Sequence, residues 1–266
     1  MSGATMLSYQ HSYHAGNLAD LHKHGLLAWV LDYMTAKDKP LSYLETHAGR
    51  GVYALDGAEA AKTGEAAQGI VRALREGWFP KGHAYLRLLA EARGIFGPAA
   101  CPGSPLLAAL ALRPGDAMHL AELHPQEHAA LVRAMEPWTG NCHREDGFAM
   151  ALARTPPEPR RGILLVDPSF EVKADYEAVP RVLQQVNRKW NVGVLMLWYP
   201  LLASAAHRPM LAALEAAFPD GLRHEVAFPP ARPGHGMVGS GMFVVNPPWG
   251  LAEEAARLTR VLARAR

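Results

Sequence analysis

The chain is poor in cysteine, in charge of one sign and in long apolar runs, and each shortage removes a class of function. Only two cysteines, Cys101 and Cys142, occur in 266 residues. They form neither a Cys-x-x-Cys pair nor a Cys/His finger spacing, so a disulfide scaffold and a structural zinc site are both disfavoured. Lys plus Arg number 27 and Asp plus Glu 25, a formal net charge of +2 with no block of like charge. That balance permits nucleic acid as a partner through a local patch, not through a global field. No apolar run approaches a membrane span. Met1 to Asp20 is polar and carries histidines where a secretory signal would be apolar. No membrane contact is therefore expected, and the expected compartment is the cytoplasm. Two catalytic signatures are also missing. There is no His-Glu-x-x-His, and Ser104 and Ser240 have no Gly-x-Ser-x-Gly context.

What remains is an ordinary globular composition, 49% hydrophobic and 20% charged. It suits a single domain, residues 1–266, with room for an insertion. Leu21, Leu26, Leu27, Val30, Leu31 and Met34 recur at helical spacing, with Asp20 as the expected N-cap and Pro40 as the stop. Leu41 to Thr46 reads as the first strand and runs into His47-Ala48-Gly49-Arg50-Gly51, a small turn that either lets backbone approach a ligand or is merely a turn. The alternation then lapses. Residues 54–101 read as a helical insertion, with helices around 66–76 and 83–96. Its Lys62, Arg72, Arg75, Lys81, Arg87 and Arg93 either face phosphates or form a solvated surface. Further strands follow at Asp116 to Leu123, Asn141 to Arg144, Gly162 to Val166 and Gly193 to Tyr199. A final pair lies at His224 to Phe228 and Met242 to Val245, before a helix from Leu251. The alternation of strand and helix argues for a doubly wound, mainly parallel sheet.

The residues of chemical interest fall at the ends of these strands, where open α/β sheets hold their ligands. Glu122 ends the second strand, where an acid can bond ribose hydroxyls. Asp146-Gly147-Phe148 follows the third. Gly162-Ile163-Leu164-Leu165-Val166 is a fully buried run that ends in Asp167-Pro168-Ser169-Phe170. At such a corner the Asp167 carboxylate and the Pro168 carbonyl could each accept an N–H of an exocyclic amine while Phe170 stacks on its ring. Equally, Asp167 and Ser169 could simply cap the next helix. Asn246-Pro247-Pro248-Trp249 resembles an amine site more closely, but it follows the last strand, expected at or near the sheet edge, and reads as a strand terminator. The histidines of the first 24 residues invite a metal. His22 and His24 are two apart on a helix and point different ways, so a metal hydrolase is disfavoured and no metal is expected.

Taken together these motifs resemble one family. The run Leu7-Ser8-Tyr9-Gln10-His11-Ser12-Tyr13-His14-Ala15-Gly16-Asn17-Leu18-Ala19-Asp20-Leu21-His22-Lys23-His24 is similar to the start of the RlmJ-type methyltransferases. The likeness continues in order through Glu45-Thr46-His47-Ala48-Gly49, Pro102-Gly103-Ser104-Pro105, Glu122-Leu123-His124-Pro125, Asp146-Gly147-Phe148, Asp167-Pro168-Ser169-Phe170, Leu197-Trp198-Tyr199-Pro200 and Ser240-Gly241-Met242.

The resemblance implies a class I S-adenosylmethionine-dependent methyltransferase, a Rossmann-like doubly wound sheet with its last strand antiparallel and a small helical insertion. It also implies methylation of an adenine N6 in 23S ribosomal RNA, adenine 2030 in that family. S-adenosylmethionine would touch Lys23, His24, His47, Ser104, Glu122, Asp146, Gly147 and Asp167, with Glu122 on the ribose and Asp146 near the adenine amine. Residues 1–24 would form an active-site segment in which Tyr9 and His11 close over the incoming base. Asp167, Pro168, Phe170, Tyr9, His11 and Lys23 would make up the catalytic set. The family corner is Asp-Pro-Pro-Tyr, and here Ser169 and Phe170 replace its last two residues. A DNA adenine methyltransferase and a non-catalytic RNA-binding relative are the alternatives. The first has no visible target-recognition domain here, and the second would not need Asp167 and Pro168. The expected partner is 23S ribosomal RNA, with a monomer and no obligate protein partner.

Overall fold

A computed structural model describes residues 11–230 and 236–265. A 3-10 turn at His11–Tyr13 leads into helix α1 (Leu18–Thr35). Strands β1 (Ser42–Glu45) and β2 (Val52–Ala54) precede the inserted helices. These are α2 (Ala58–Thr63), a π-helical turn at Ala67–Val71, α3 (Arg72–Glu76) and α4 (Ala84–Phe96). After them come β3 (Ala100–Pro102), α5 (Ser104–Ala111), β4 (Ala117–Ala121), α6 (Pro125–Met135), β5 (Asn141–His143) and α7 (Gly147–Arg154). The chain ends with β6 (Gly162–Val166), α8 (Asp175–Lys189), β7 (Val194–Leu202), α9 (Arg208–Ala217), β8 (Leu222–Ala227), β9 (Met237–Val245) and α10 (Leu251–Leu262).

Seven strands form one sheet in the order β5-β4-β1-β6-β7-β9-β8. The pairs from β5 through β7 are parallel, and β9 runs antiparallel to both its neighbours, as expected of the last strand. Chain order reverses beside β1, so the crevice of the fold opens between the ends of β1 and its neighbours. Hydrogen bonds show how the strand ends separate. Thr46 N–H donates to Leu165 O of β6 at 3.0 Å, while Ala48 N–H donates to Ala121 O of β4 at 2.9 Å.

The sheet is covered on both faces. Tyr43, Ile163, Leu165 and Met196 meet α1, α4, α5 and α10, while Leu44, Leu164, Val166 and Leu197 meet α7, α8 and α9. Two buried faces are why 162–166 lacks polar residues altogether.

Three expectations change. Helix α1 begins a turn earlier than predicted, with Asn17 and not Asp20 as N-cap; Asn17 Oδ1 accepts the Asp20 N–H at 2.9 Å. Asp20 is instead 2% exposed and turned into the protein. The helix ends at Thr35, ahead of Pro40, because the Arg113 guanidinium takes the carbonyls of Thr35, Lys37 and Lys39. In the insertion, β2 and β3 pair antiparallel as a separate small sheet, and the π-helical turn at Gly69 splits the helix expected around 66–76. Within this stretch the strand and helix alternation lapses, and β2 and β3 carry too little pattern of their own to be read from sequence. Of the insertion's basic residues, Arg72 and Arg75 pair with Glu76 and Arg87 pairs with Asp32, so the solvated-surface reading describes those three.

Gly147, at the start of α7, is where backbone meets backbone: a Cβ there would lie 1.8 Å from Thr46 O. Gly147→Ala is expected to cost about 3 kcal/mol by forcing that contact apart, measured by urea unfolding. A loss below about 1 kcal/mol would show that α7 is free to shift.

Candidate active site

The ends of β1, β4, β5, β6 and β7 surround a cavity of about 350 Å³. Eleven of the twelve predicted site residues lie among the described residues. Ten of them (His11, Lys23, His24, His47, Ser104, Glu122, Asp146, Gly147, Asp167 and Pro168) line it. Tyr9 lies outside the described residues. Phe170 is the exception.

At one end of the cavity, Lys23 projects from α1 to the corner after β6. Its Nζ donates to Asp167 Oδ2 at 2.6 Å and stands 3.3 Å from Asp20 Oδ1. The Lys23 side chain is 6% exposed and that of Asp167 12%. Burial opposes the ammonium charge, but Asp167 and Asp20 outweigh it and hold the lysine above its ordinary range. Asp20 also accepts from Gly16 N–H at 2.8 Å and bonds His11 Nε2 at 2.9 Å. Burial would raise its carboxyl, yet His11 and Lys23 hold it well below the usual range. Burial pushes Asp167 upward against the pull of Lys23. Asp167 Oδ2 is taken by Lys23, and among the described residues no hydrogen bond reaches Oδ1.

The opposite wall is built from backbone and acid. Glu122 Oε2 accepts the Gly49 N–H at 2.9 Å and Oε1 the His124 N–H at 2.7 Å. Each oxygen keeps a lone pair for a further donor. Gly49 has φ +62, and a Cβ there would meet the Tyr53 hydroxyl at 2.5 Å, so this turn needs glycine. Asp146 caps α7 through Ala149 N–H at 2.8 Å. Likewise the His124 ring caps α6.

Between these walls His24 is buried, and among the described residues neither ring nitrogen has a hydrogen-bond partner; Asp20 Oδ1 stands 3.8 Å from Nε2. Burial pushes the His24 pKa down to about 3. A neutral, unbonded imidazole lining a cleft is a group waiting for a ligand. An acid with spare lone pairs, a glycine turn and this orphaned histidine are what an adenosine bearing a charged tail would need. The residues present therefore fit S-adenosylmethionine.

Phe170 does not occupy the cleft. It is 6% exposed, lies 4.6 Å from Tyr176 between ring centroids, and borders a separate groove between α8 and α9. Its φ is +55, a costly conformation for a bulky residue. That backbone twist turns the ring inward, and no periodicity could have shown it. Trp198, midway along β7, lines the cleft instead, together with Tyr53 and Phe148. In the sequence it stands only within Leu197-Trp198-Tyr199-Pro200. Its place on the strand next to β6 is the signal that could have found it. Glu45 was also passed over. This buried acid, beneath the cavity, accepts from Tyr43 OH at 2.8 Å and is bonded by Ser104 Oγ at 2.5 Å.

Asn246 does not line the cavity. β9 lies next to the edge strand β8, as expected of a strand at or near the edge. Because it runs antiparallel, its end emerges on the far side of the sheet, where Asn246 Nδ2 donates to Asn191 O and Gly193 O at 3.0 and 2.9 Å.

The strand order, the lone reversed strand and the acid-and-glycine crevice at the switch point define a class I methyltransferase. Within that class the chain belongs to the family described as "Ribosomal RNA large subunit methyltransferase D, RlmJ", whose model matches residues 38–265. It is 38% identical over 255 residues to Ribosomal RNA large subunit methyltransferase J of Escherichia coli (strain K12), spanning 94% of this chain and 90% of that protein. The protein of the same name from Haemophilus influenzae is 35% identical over 268 residues, 97% of this chain and 94% of that one. A crystal structure of a Legionella pneumophila protein, 32% identical, superposes with a TM-score of 0.85 over 95% of this chain and 94% of its own. Among the described residues no helix is long and apolar enough to cross a membrane.

Glu45 generates a prediction. Burial, partly offset by the Ser104 and Tyr43 hydroxyls, raises its pKa to about 8 against an ordinary 4.5. The folded protein therefore holds a proton that the unfolded chain releases, so this contribution is complete below about pH 4.5 and is lost as pH rises through about 8. Glu45→Gln removes the titration while keeping the shape. Thermal melting across that window should show the variant gaining on the wild type as pH rises; a constant difference would contradict a raised Glu45.

Proposed function

We propose that the protein methylates the N6 amine of an adenine in 23S ribosomal RNA, the position its family name implies, with S-adenosylmethionine as methyl donor. One observation carries this reading. The Asp167-Pro168 corner at the end of β6 faces the same cavity as Glu122 and the Gly49 turn, so an amine and a nucleoside can meet there.

S-adenosylmethionine, when bound, supplies a methyl group on a sulfonium that is already strongly electrophilic. The protein's work is placement. Glu122 would accept from ribose hydroxyls, with Gly49 and His47 beside it. His24 and Lys23 would hold the charged tail with Ser104, and Asp146 with Gly147 would hold the adenine. An aromatic amine is a poor nucleophile because its lone pair is shared with the ring. Asp167 Oδ1 and the Pro168 carbonyl accept its two N–H bonds and favour a pyramidal nitrogen whose lone pair points across the cavity. Lys23 fixes the Asp167 carboxylate by its 2.6 Å bond to the other oxygen. Because burial already pushes the Asp167 carboxyl upward, Oδ1 is suited to receive the proton the nitrogen then loses. His11, bonded to Asp20 at 2.9 Å, closes the side from which the base enters, with Tyr9 just before it in the chain. An adenine within a stem must leave its stack, at a cost of about a few kcal/mol. We infer further that the enzyme works as a monomer in the cytoplasm.

The test is to supply labelled methyl donor with unmodified 23S RNA or with unmethylated DNA and map the product. Label on N6 of one adenine of the RNA is expected; label on DNA alone would refute the RNA reading. Asp167→Ala should lower transfer by roughly 10²–10³ and weaken donor binding less. Undiminished turnover in that variant would remove Asp167 from the chemistry.

A further inference from the structure

His22 has no part in the cleft, yet it is fully buried beside Lys23. It belongs to a continuous hydrogen-bonded chain. Trp198 Nε1–H, on β7, donates to Ser240 Oγ of β9 at 2.9 Å. Ser240 Oγ is 2.9 Å from His22 Nδ1, and His22 Nε2 is 2.8 Å from His224 Nδ1 of β8. His224 Nε2 is 2.7 Å from Thr259 Oγ1 on the exposed side of α10, and that hydroxyl reaches Ala255 O at 3.3 Å.

The polarity of this chain is fixed at both ends. An indole can only donate and a carbonyl can only accept. Five contacts are shared by five protons: one on the indole, one on each hydroxyl and one on each neutral imidazole. A single arrangement satisfies all of them. Ser240 donates to His22 Nδ1, His22 donates from Nε2 to His224 Nδ1, His224 donates from Nε2 to Thr259, and Thr259 donates to Ala255 O. Burial holds both imidazoles below their usual pKa, keeping them neutral. The glycines beside Ser240 allow the close fit. A Cβ at Gly241 would strike the Tyr199 ring at 2.1 Å, and one at Gly239 would meet Val226 O at 2.4 Å.

The far end of the chain is a cleft residue. The Trp198 ring lines the cavity with Lys23 Nζ 5.7 Å from its centroid, whereas Phe170 is turned away. We propose that Trp198 is the aromatic wall against which the substrate base is held, and that the Ser240–His22–His224–Thr259 chain is the positioning device that fixes its indole. This rests on the methyltransferase reading above. His22 and His224 touch neither base nor donor; they act through the ring.

The experiment measures kcat and KM for 23S RNA, and donor affinity, in Trp198→Phe, His224→Ala and the double variant. Losing the indole N–H or its support should raise KM for RNA by about fivefold with donor affinity unchanged. The double variant should be no worse than Trp198→Phe alone, because His224 then has no indole to position. Multiplicative losses in the double variant, or a wild-type KM in His224→Ala, would overturn the positioning role. Should the wild type transfer no methyl to RNA, the functional reading falls and this inference with it. An activity-independent readout is the Trp198 Nε1–H resonance, identified by its loss in Trp198→Phe. It should move in His224→Ala while the signals of the other tryptophans stay in place; an unmoved resonance would refute the chain.

Discussion

The structure turns on one buried cation. Lys23 Nζ lies 2.6 Å from Asp167 and 3.3 Å from Asp20, and so ties the first helix to the corner after β6. An unpaired charge at such burial would be prohibitively costly, so each partner demands the others. The acid-rich corner tolerates its carboxylate because the lysine is there. The lysine, in turn, is held by α1, whose buried Asp20 draws in His11 and the Gly16 amide. A helix that would otherwise only cover the sheet thereby becomes one wall of the reaction site.

From that constraint the arrangement of the cleft follows. The sheet reverses its order beside β1, and the strand ends part there because Thr46 bonds toward β6 and Ala48 toward β4. Glu122 and the Gly49 turn line one side of the cavity, the side proposed for the nucleoside, and Asp167 with Pro168 the other, proposed for the amine. Lys23 and His24 lie between them. Glu45, neutral at ordinary pH beneath this floor, avoids adding another negative charge near Asp167. Among the described residues Ser169 bonds only the Glu171 amide, at 3.4 Å, so Ser169 in place of the family's second proline leaves Asp167 and Pro168 both lining the cavity. The corner's aromatic, by contrast, is turned into the core.

Much of this was legible from the residues. A run with no polar interruption, Gly162 to Val166, can only be a strand buried on both faces, and Asp167 at its end marks a crevice. Glu122 and Gly49 could be read in the same way, because strand ends and glycine turns are local features. What sequence hid is tertiary. Asp20 resembles an N-cap until it is seen buried against Lys23. Asn246 follows a strand that does lie near the sheet edge, but what carries it away from the cavity is strand direction, which sequence does not show. The inward turn of Phe170 depends on one positive φ, and the cleft-facing role of Trp198 on which strand neighbours β6. Short strands β2 and β3 exist only because they pair with each other.

The central claim is that Lys23 and Asp167 act as one unit in both folding and transfer. The most direct test is a double-mutant cycle with Lys23→Met, Asp167→Asn and their combination, followed by chemical unfolding and by single-turnover methylation of 23S RNA. Removing Lys23 alone should cost about 3–5 kcal/mol, because it strands a buried carboxylate. The combined variant should regain much of that stability while remaining inactive. Additive losses of stability, or rapid transfer by the combined variant, would contradict the account.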